Sequence, residues 1–249
     1  MFSLFGLHQL PAQALFRVTY LAEHQFQQAE GFNGPNTLVF TTKKSYFTHS
    51  QYPATSNSSL TGNVVRVQAG DPEQFPVYTS LPDSLVLGKV RGRPGNANTI
   101  SILAEPLPAI NWTVTDSQRL IGGYPCIRAT TTFEGRSYEA WFTPVIAAPF
   151  GPYRLRGLPG LILEANSTDG QVSWTFSSLQ ELSSGSVVIE EPTYGERYEW
   201  EDFVQAVIDD KYRRESNSNL DYTITIRDPN PDFFIERGKF SIFERYLDQ

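Results

Sequence analysis

A chain of 249 residues, 40% hydrophobic and only 19% charged, is long enough to bury a sizeable core as one large β domain or two small ones. Its net charge of −7, with no long basic run, argues against electrostatic binding of nucleic acid or of an anionic membrane. No apolar run reaches the length of a membrane span, and a lone cysteine, Cys126, excludes an internal disulfide.

The chain opens on the apolar Met1-Phe2-Ser3-Leu4-Phe5-Gly6-Leu7, followed by Ala12-Gln13-Ala14, which has the small-residue form of a cleavage site. A basic n-region and a longer apolar core are missing, so residues 1–14 read either as a truncated signal peptide or as a frayed terminus. From Phe16 to Glu23 the residues alternate, with Phe16, Val18 and Tyr20 on one face, as in an opening strand. Thr37 to Thr42 and Ser45 to Thr48 form a hairpin interrupted by Lys43-Lys44. Gln51 to Ser59 has loop composition, and Asn63 to Gln68 is a short β-branched run. Across residues 69–108 prolines recur and apolar runs are brief, which predicts an irregular, loop-rich insertion of short strands and long loops.

The second half is patterned more strongly. Trp112 and Val114 alternate with Thr113 and Thr115; Asp116-Ser117-Gln118 can turn the chain; Arg119-Leu120-Ile121 then leads into Gly122-Gly123-Tyr124. Ile127, Ala129, Thr131 and Phe133 share one face. Glu134-Gly135 closes a tight hairpin into Arg136 to Thr143, where Tyr138, Ala140 and Phe142 oppose Glu139 and Trp141. Leu161 to Asn166 and Gln171 to Ser177 form another hairpin, with Val172, Trp174 and Phe176 inward. Such alternation implies an antiparallel sheet with one buried face. Val187-Val188-Ile189 adds a strand. Trp200, Phe203, Val204, Val207 and Ile208 form an apolar stripe at helical spacing, which predicts one helix over about Glu199–Arg214. Further strand signals lie at Tyr222-Ile224-Ile226, Phe233 to Ile235 and Phe240 to Tyr246. Many hairpins, one helix and no βαβ alternation predict a mainly β single domain over 15–249, a strongly curved antiparallel sheet or open β-barrel with the helix packed on it.

Between the two best hairpins runs Gly151-Pro152-Tyr153-Arg154-Leu155-Arg156-Gly157-Leu158-Pro159-Gly160-Leu161-Ile162-Leu163-Glu164, rich in glycine and proline among apolar residues. Pro159-Gly160 suits a type II turn, and a segment this apolar should press on a core or line a cavity. With its upstream neighbours it resembles the GLPGLI family of bacterial proteins, named for the hexapeptide Gly157 to Ile162. Gly123-Tyr124-Pro125-Cys126-Ile127-Arg128-Ala129 is similar to the family's Gly-Tyr-x-Cys-x-Lys-Ala, with Arg128 for lysine. Ala140-Trp141-Phe142-Thr143-Pro144 is similar to its Ala-Trp-aromatic-Thr segment, and Gly151-Pro152-Tyr153 to its Gly-Pro-aromatic. The resemblance covers about Trp112 to Phe176. It implies an exported protein, periplasmic or secreted, and assigns no reaction.

The residues carry no nucleophile–base pair and no metal ligand set, so no catalytic residue, metal or cofactor is expected. Cys126 reads as a small buried hydrophobe, since His8, His24 and His49 are distant in sequence. Glu164, with Asp169, Glu139 or Glu134, would need a second carboxylate within about 10 Å to act as a hydrolase. Arg154 and Arg156 flank the central segment and could contact an anion. The preferred expectation is a binding module for an apolar or peptide-like ligand held inside the curved sheet, in a pocket lined by Trp141, Tyr153 and Phe150. An envelope protein docking on the Gly-Leu-Pro-Gly loop is the alternative, and an acid-residue hydrolase the second.

Overall fold

The computed structural model describes residues 15–25, 33–49, 59–61, 64–67, 76–93, 96–183 and 186–217. In the first half these form β1 (Leu15–His24), β2 (Gly34–Phe40), β3 (Lys44–Thr48), β4 (Ser59–Thr61), β5 (Val64–Val67), β6 (Val77–Ser80), β7 (Leu85–Arg93) and β8 (Asn96–Pro106). The second half adds β9 (Thr113–Ile121), β10 (Tyr124–Phe133), β11 (Arg136–Thr143), β12 (Leu161–Ser167), β13 (Val172–Ser183), β14 (Ser186–Ile189), β15 (Glu196–Glu199) and helix α1 (Trp200–Asn217). Twelve strands make one curved, open sheet in the order β15-β8-β7-β6-β3-β2-β1-β13-β12-β11-β10-β9; β14-β5-β4 form a small second sheet. The mainly β architecture, a large curved open sheet with one helix among the described residues, is the one that the hairpin pattern predicts.

Two antiparallel runs of strands, or meanders, joined by β1, make up the large sheet except at its β15 edge, where β15 pairs parallel to β8. One edge of β1 pairs with β2 and the other with β13, where Tyr20 lies opposite Phe176 and Ala22 opposite Trp174. The hairpins follow from local chemistry. Gly122-Gly123 and Glu134-Gly135 both have positive φ at each position, the type I′ geometry that matches strand twist. Alternation then sets the faces: Val18, Tyr20, Ala22, Leu38, Phe40, Phe47, Ala129, Ala140 and Trp174 all enter one core drawn from both meanders.

Helix α1 begins one residue later than expected and runs to Asn217. Its Trp200, Phe203 and Val207 pack on Leu103 of β8, and Glu201 and Asp202 occupy the first turn, where the helix dipole favours them.

Two expectations are corrected. Within 69–108 the described residues form β6, β7 and β8, integral strands of the main sheet rather than a loop-rich insertion. The apolar runs there are brief because the buried faces carry Thr79, Ser80, Lys89 and Ser101 among the hydrophobic residues. Asp116-Ser117-Gln118 does not turn the chain; it stays within β9, and the irregularity is absorbed as a bulge opposite Arg128. Residues 1–14 and the strand signals beyond Asn217 lie outside the described residues.

Candidate functional site

The segment from β11 to β12 turns back across the inner face of the sheet. Leu161 N–H donates to Ile146 O at 3.0 Å, Ile162 N–H to Phe150 O at 2.9 Å and Gly157 N–H to Pro149 O at 3.0 Å. Ile146, Ala148, Phe150, Leu155 and Leu158 are thereby carried into the main core. Tyr20 Oη, from β1, donates to Ile162 O at 2.7 Å and ties the segment to the opposite meander. The expected four-residue turn is tighter than predicted: Gly160 N–H donates to Leu158 O at 2.8 Å, a three-residue turn around Pro159. Gly160 is required by contact. A Cβ there would stand 2.2 Å from Thr143 O and 2.9 Å from Pro144 Cα.

Most of the motif residues are structural in placement. Leu158, Leu161, Ile162, Pro152 and Phe142 are buried, while Gly157 and Pro159 alone of the hexapeptide are exposed. Tyr124 is half-buried with its ring edge-on to Phe176. Cys126 is buried, and burial followed by the nearby Glu164 pushes its thiol up to about 11. Trp141 lies on the opposite face of the sheet from Tyr153 and Phe150, level with Glu164, under the Arg119 guanidinium at 4.2 Å. The three aromatics expected to line one pocket are therefore divided by the sheet.

Arg154 and Arg156 point inward. Arg154 grips Glu105 bidentately, at 2.5 and 2.6 Å, and its Nε lies 2.8 Å from Glu134 Oε1 as an ion pair. It thus joins the end of β8 to the β10–β11 turn, at 4% exposure. Burial opposes its charge, but the two carboxylates outweigh burial and raise its pKa. Arg156 donates to Arg154 O at 2.7 Å and Pro108 O at 2.5 Å; burial and then the Arg154 charge lower it to about 10. Trp112 Nε1 completes the clasp on Arg156 O at 2.7 Å. Both guanidinium groups are spent on the fold.

Next to this clasp lies a group that the sequence spacing hides. His24 ends β1, Asn36 lies in β2 and His49 follows β3; all three are buried. Asn36 Nδ2 donates to Gly34 O at 3.2 Å, which leaves its Oδ1 to accept from His49 Nδ1–H at 3.1 Å. Tyr153 sits between them, stacked on Trp174 at 6.4 Å and facing His49 at 6.0 Å, while His24 meets Trp174 edge-on at 5.7 Å. Tyr153 is the first central residue of a turn closed by Leu155 N–H to Pro152 O, with φ 55, a position that prefers glycine. Burial, then the neighbouring Arg136, lowers His24 to about 4; burial, then His24, lowers His49 to about 3. A hairpin register counted outward from Phe40 opposite Ser45 puts Asn36 level with His49, and that count was the available signal.

Each of the four carboxylates considered for hydrolysis faces an arginine: Glu164 with Arg119, Glu139 with Arg128 at 2.7 Å, Asp169 with Arg136 at 3.4 Å and Glu134 with Arg154. The Arg128 hydrogen bond holds Glu139 below the usual carboxylate range. A general acid requires the reverse shift, so the arrangement gives that reading no support.

The sheet also ends in an element that the motifs did not single out. β9 is an edge strand, and among the described residues nothing pairs with its outer side. Val114 is 50% and Leu120 73% exposed on it, two of the four exposed large hydrophobics among the described residues. The opposite edge, β15, has only four residues and leads directly into α1.

No family model matches the chain, and no curated protein matches it. Among solved structures it is similar to PNGF-II in a C2 and in a P21 crystal form, each at a TM-score of 0.53, with 14% and 13% identity over 79% of this chain. The chain spans about a third of their length, 33% and 34%. At such identity the likeness concerns the fold alone.

Proposed function

We propose that this chain is a non-catalytic binding module that takes a peptide-like ligand, in extended form, along the outer edge of β9. The resemblance to the GLPGLI family supports a place in the cell envelope, periplasmic or secreted. The observation that carries the reading is the edge itself: nine residues long, with Val114 and Leu120 exposed on one face. Long, apolar strand edges are templates for a further strand, and natural proteins usually protect them. Ile146, Phe150, Leu155 and Leu158 fill the inner face of the sheet, which favours the edge over the interior as the binding element in this reading. The hexapeptide turns its leucines and isoleucine inward and offers a docking partner only Gly157 and Pro159.

The test is titration of the isotopically labelled protein with a neutral strand-forming peptide, Thr-Val-Thr-Thr-Thr-Val-Thr, followed by amide chemical shifts. Shift changes confined to residues 113–121 and their β10 neighbours are expected, and Leu120→Lys should abolish them while leaving thermal unfolding unchanged. Shift changes elsewhere alone, or none, would refute the edge as the binding element. Fractionation of the producing cells tests the envelope assignment, which a wholly cytosolic distribution would overturn.

A further inference from the structure

We infer that the strand accepted by β9 is basic: an extended segment with Lys or Arg opposite Asp116, flanked two residues away on each side by apolar residues opposite Val114 and Leu120. The inference rests on the edge reading above. Two features of β9 carry it, one of charge and one of register.

The charge feature is an asymmetry between its two ionised residues. Arg119 is already committed, paired with Glu164 and stacked on Trp141. Asp116 is exposed and has no ion pair among the described residues. The edge thus presents one uncompensated negative charge, in a chain whose net charge is −7.

The register feature fixes the spacing. On the inner side of β9, Val114 lies opposite Ala129 and Leu120 opposite Pro125. Six steps along β9 therefore match four along its neighbour, because Thr115, Asp116 and Ser117 together face Arg128 in the bulge. A ligand strand that follows the same path meets Val114 and Leu120 with residues i and i+4. Residue i+2 falls at the bulge, next to Asp116. Cross-strand opposite charges are favourable and like charges unfavourable at this separation.

The same pattern disfavours a second copy of this chain. Two-fold pairing that sets Val114 against Leu120 puts Ser117 on the axis and the two Asp116 side chains on adjacent diagonal positions of one face. Like charges then meet where a basic ligand would supply a pair.

The experiment titrates the full chain with Thr-Val-Thr-Lys-Thr-Val-Thr and with the same peptide carrying Glu in place of Lys, and repeats both with Asp116→Lys. Asp116 is exposed, so the variant should fold as the parent does. The Lys peptide is expected to bind about tenfold more tightly than the Glu peptide, and Asp116→Lys should reverse the order. Equal binding of the two peptides overturns the charge inference and leaves the edge reading intact. Binding of neither, nor of the neutral peptide, overturns both. A dimer that Leu120→Lys converts to monomer would give the edge to a second copy and also overturn the inference.

Discussion

Acidification should destabilise this protein well above the range in which carboxylates titrate, and the magnitude follows from the buried histidines. In the unfolded chain His24 and His49 titrate near the ordinary value of about 6.5. In the folded protein they hold to about 4 and about 3, chiefly through burial. Between those limits the unfolded state binds protons that the native state refuses. Stability therefore rises with pH across this window: it is greatest above about pH 7 and is lost as pH falls through 6.5. At pH 5 each histidine has about 1.5 pH units of mismatch, worth about 2 kcal/mol, so the pair removes about 4 kcal/mol. That is a large part of the 5–15 kcal/mol typical of a folded domain. Glu139 and Asp169, whose folded values are depressed, lose their contributions only below about pH 4, outside the window. Urea unfolding followed by tryptophan fluorescence at half-unit steps from pH 7.5 to 5 measures the effect. The expected slope below pH 6 is about 2.7 kcal/mol per pH unit, for two protons. His24→Phe should halve it, since the ring contact with Trp174 is kept and one titration removed; His49→Phe should also halve it, from a lower starting stability because the His49–Asn36 hydrogen bond is lost. Stability that is flat from pH 7 to 5, or an unchanged slope in both variants, would refute the reasoning.

Gly160→Ala should cost roughly 3 kcal/mol or more, since its methyl group would overlap the Thr143 backbone, whereas Gly123→Ala, strained in φ but in open space, should cost about 1 kcal/mol; thermal unfolding separates them. Arg154→Met leaves the partly buried Glu105 and Glu134 beside an apolar chain and should destabilise by about 3 kcal/mol, with much of the loss recovered when both glutamates are changed to Gln; chemical denaturation reads both. Cys126 should react with an aromatic disulfide reagent at pH 8 on the order of a hundredfold more slowly in the native protein than in urea, and equal rates would contradict its burial.

The sequence made the second meander legible almost residue by residue because its hairpins are local. Gly122-Gly123 and Glu134-Gly135 fix register between adjacent strands, and alternation from Ile127 to Phe142 assigns the faces. The first meander was harder to read where buried polar residues such as Lys89 and Ser101 broke the hydrophobic count. Long-range closures were not legible at all. Nothing near Arg154 in sequence points to Glu105, 49 positions away, or to Glu134. Nor does local pattern tell that Trp141 and Tyr153 fall on opposite faces, since the course of the intervening segment decides it. The central motif shows in sequence as a glycine- and proline-rich apolar segment, but the physical need for Gly160 and Gly151 is contact with Thr143 and with Ile162, which only the folded chain supplies.

The joint between β1 and β13 also sets a clock. Tyr20 and Phe176 are adjacent in the sheet but 156 positions apart in the chain. During synthesis at roughly 5–20 residues per second, β1 waits about 8–30 s for its second neighbour to be made. Through that interval the first meander holds Tyr20 and Ala22 beside an open strand edge, while the crossing segment that will cover them is still unmade. Assembly of this protein is thus gated by the arrival of its own second half, and β1 is the element that nascent-chain chaperones have most reason to shield.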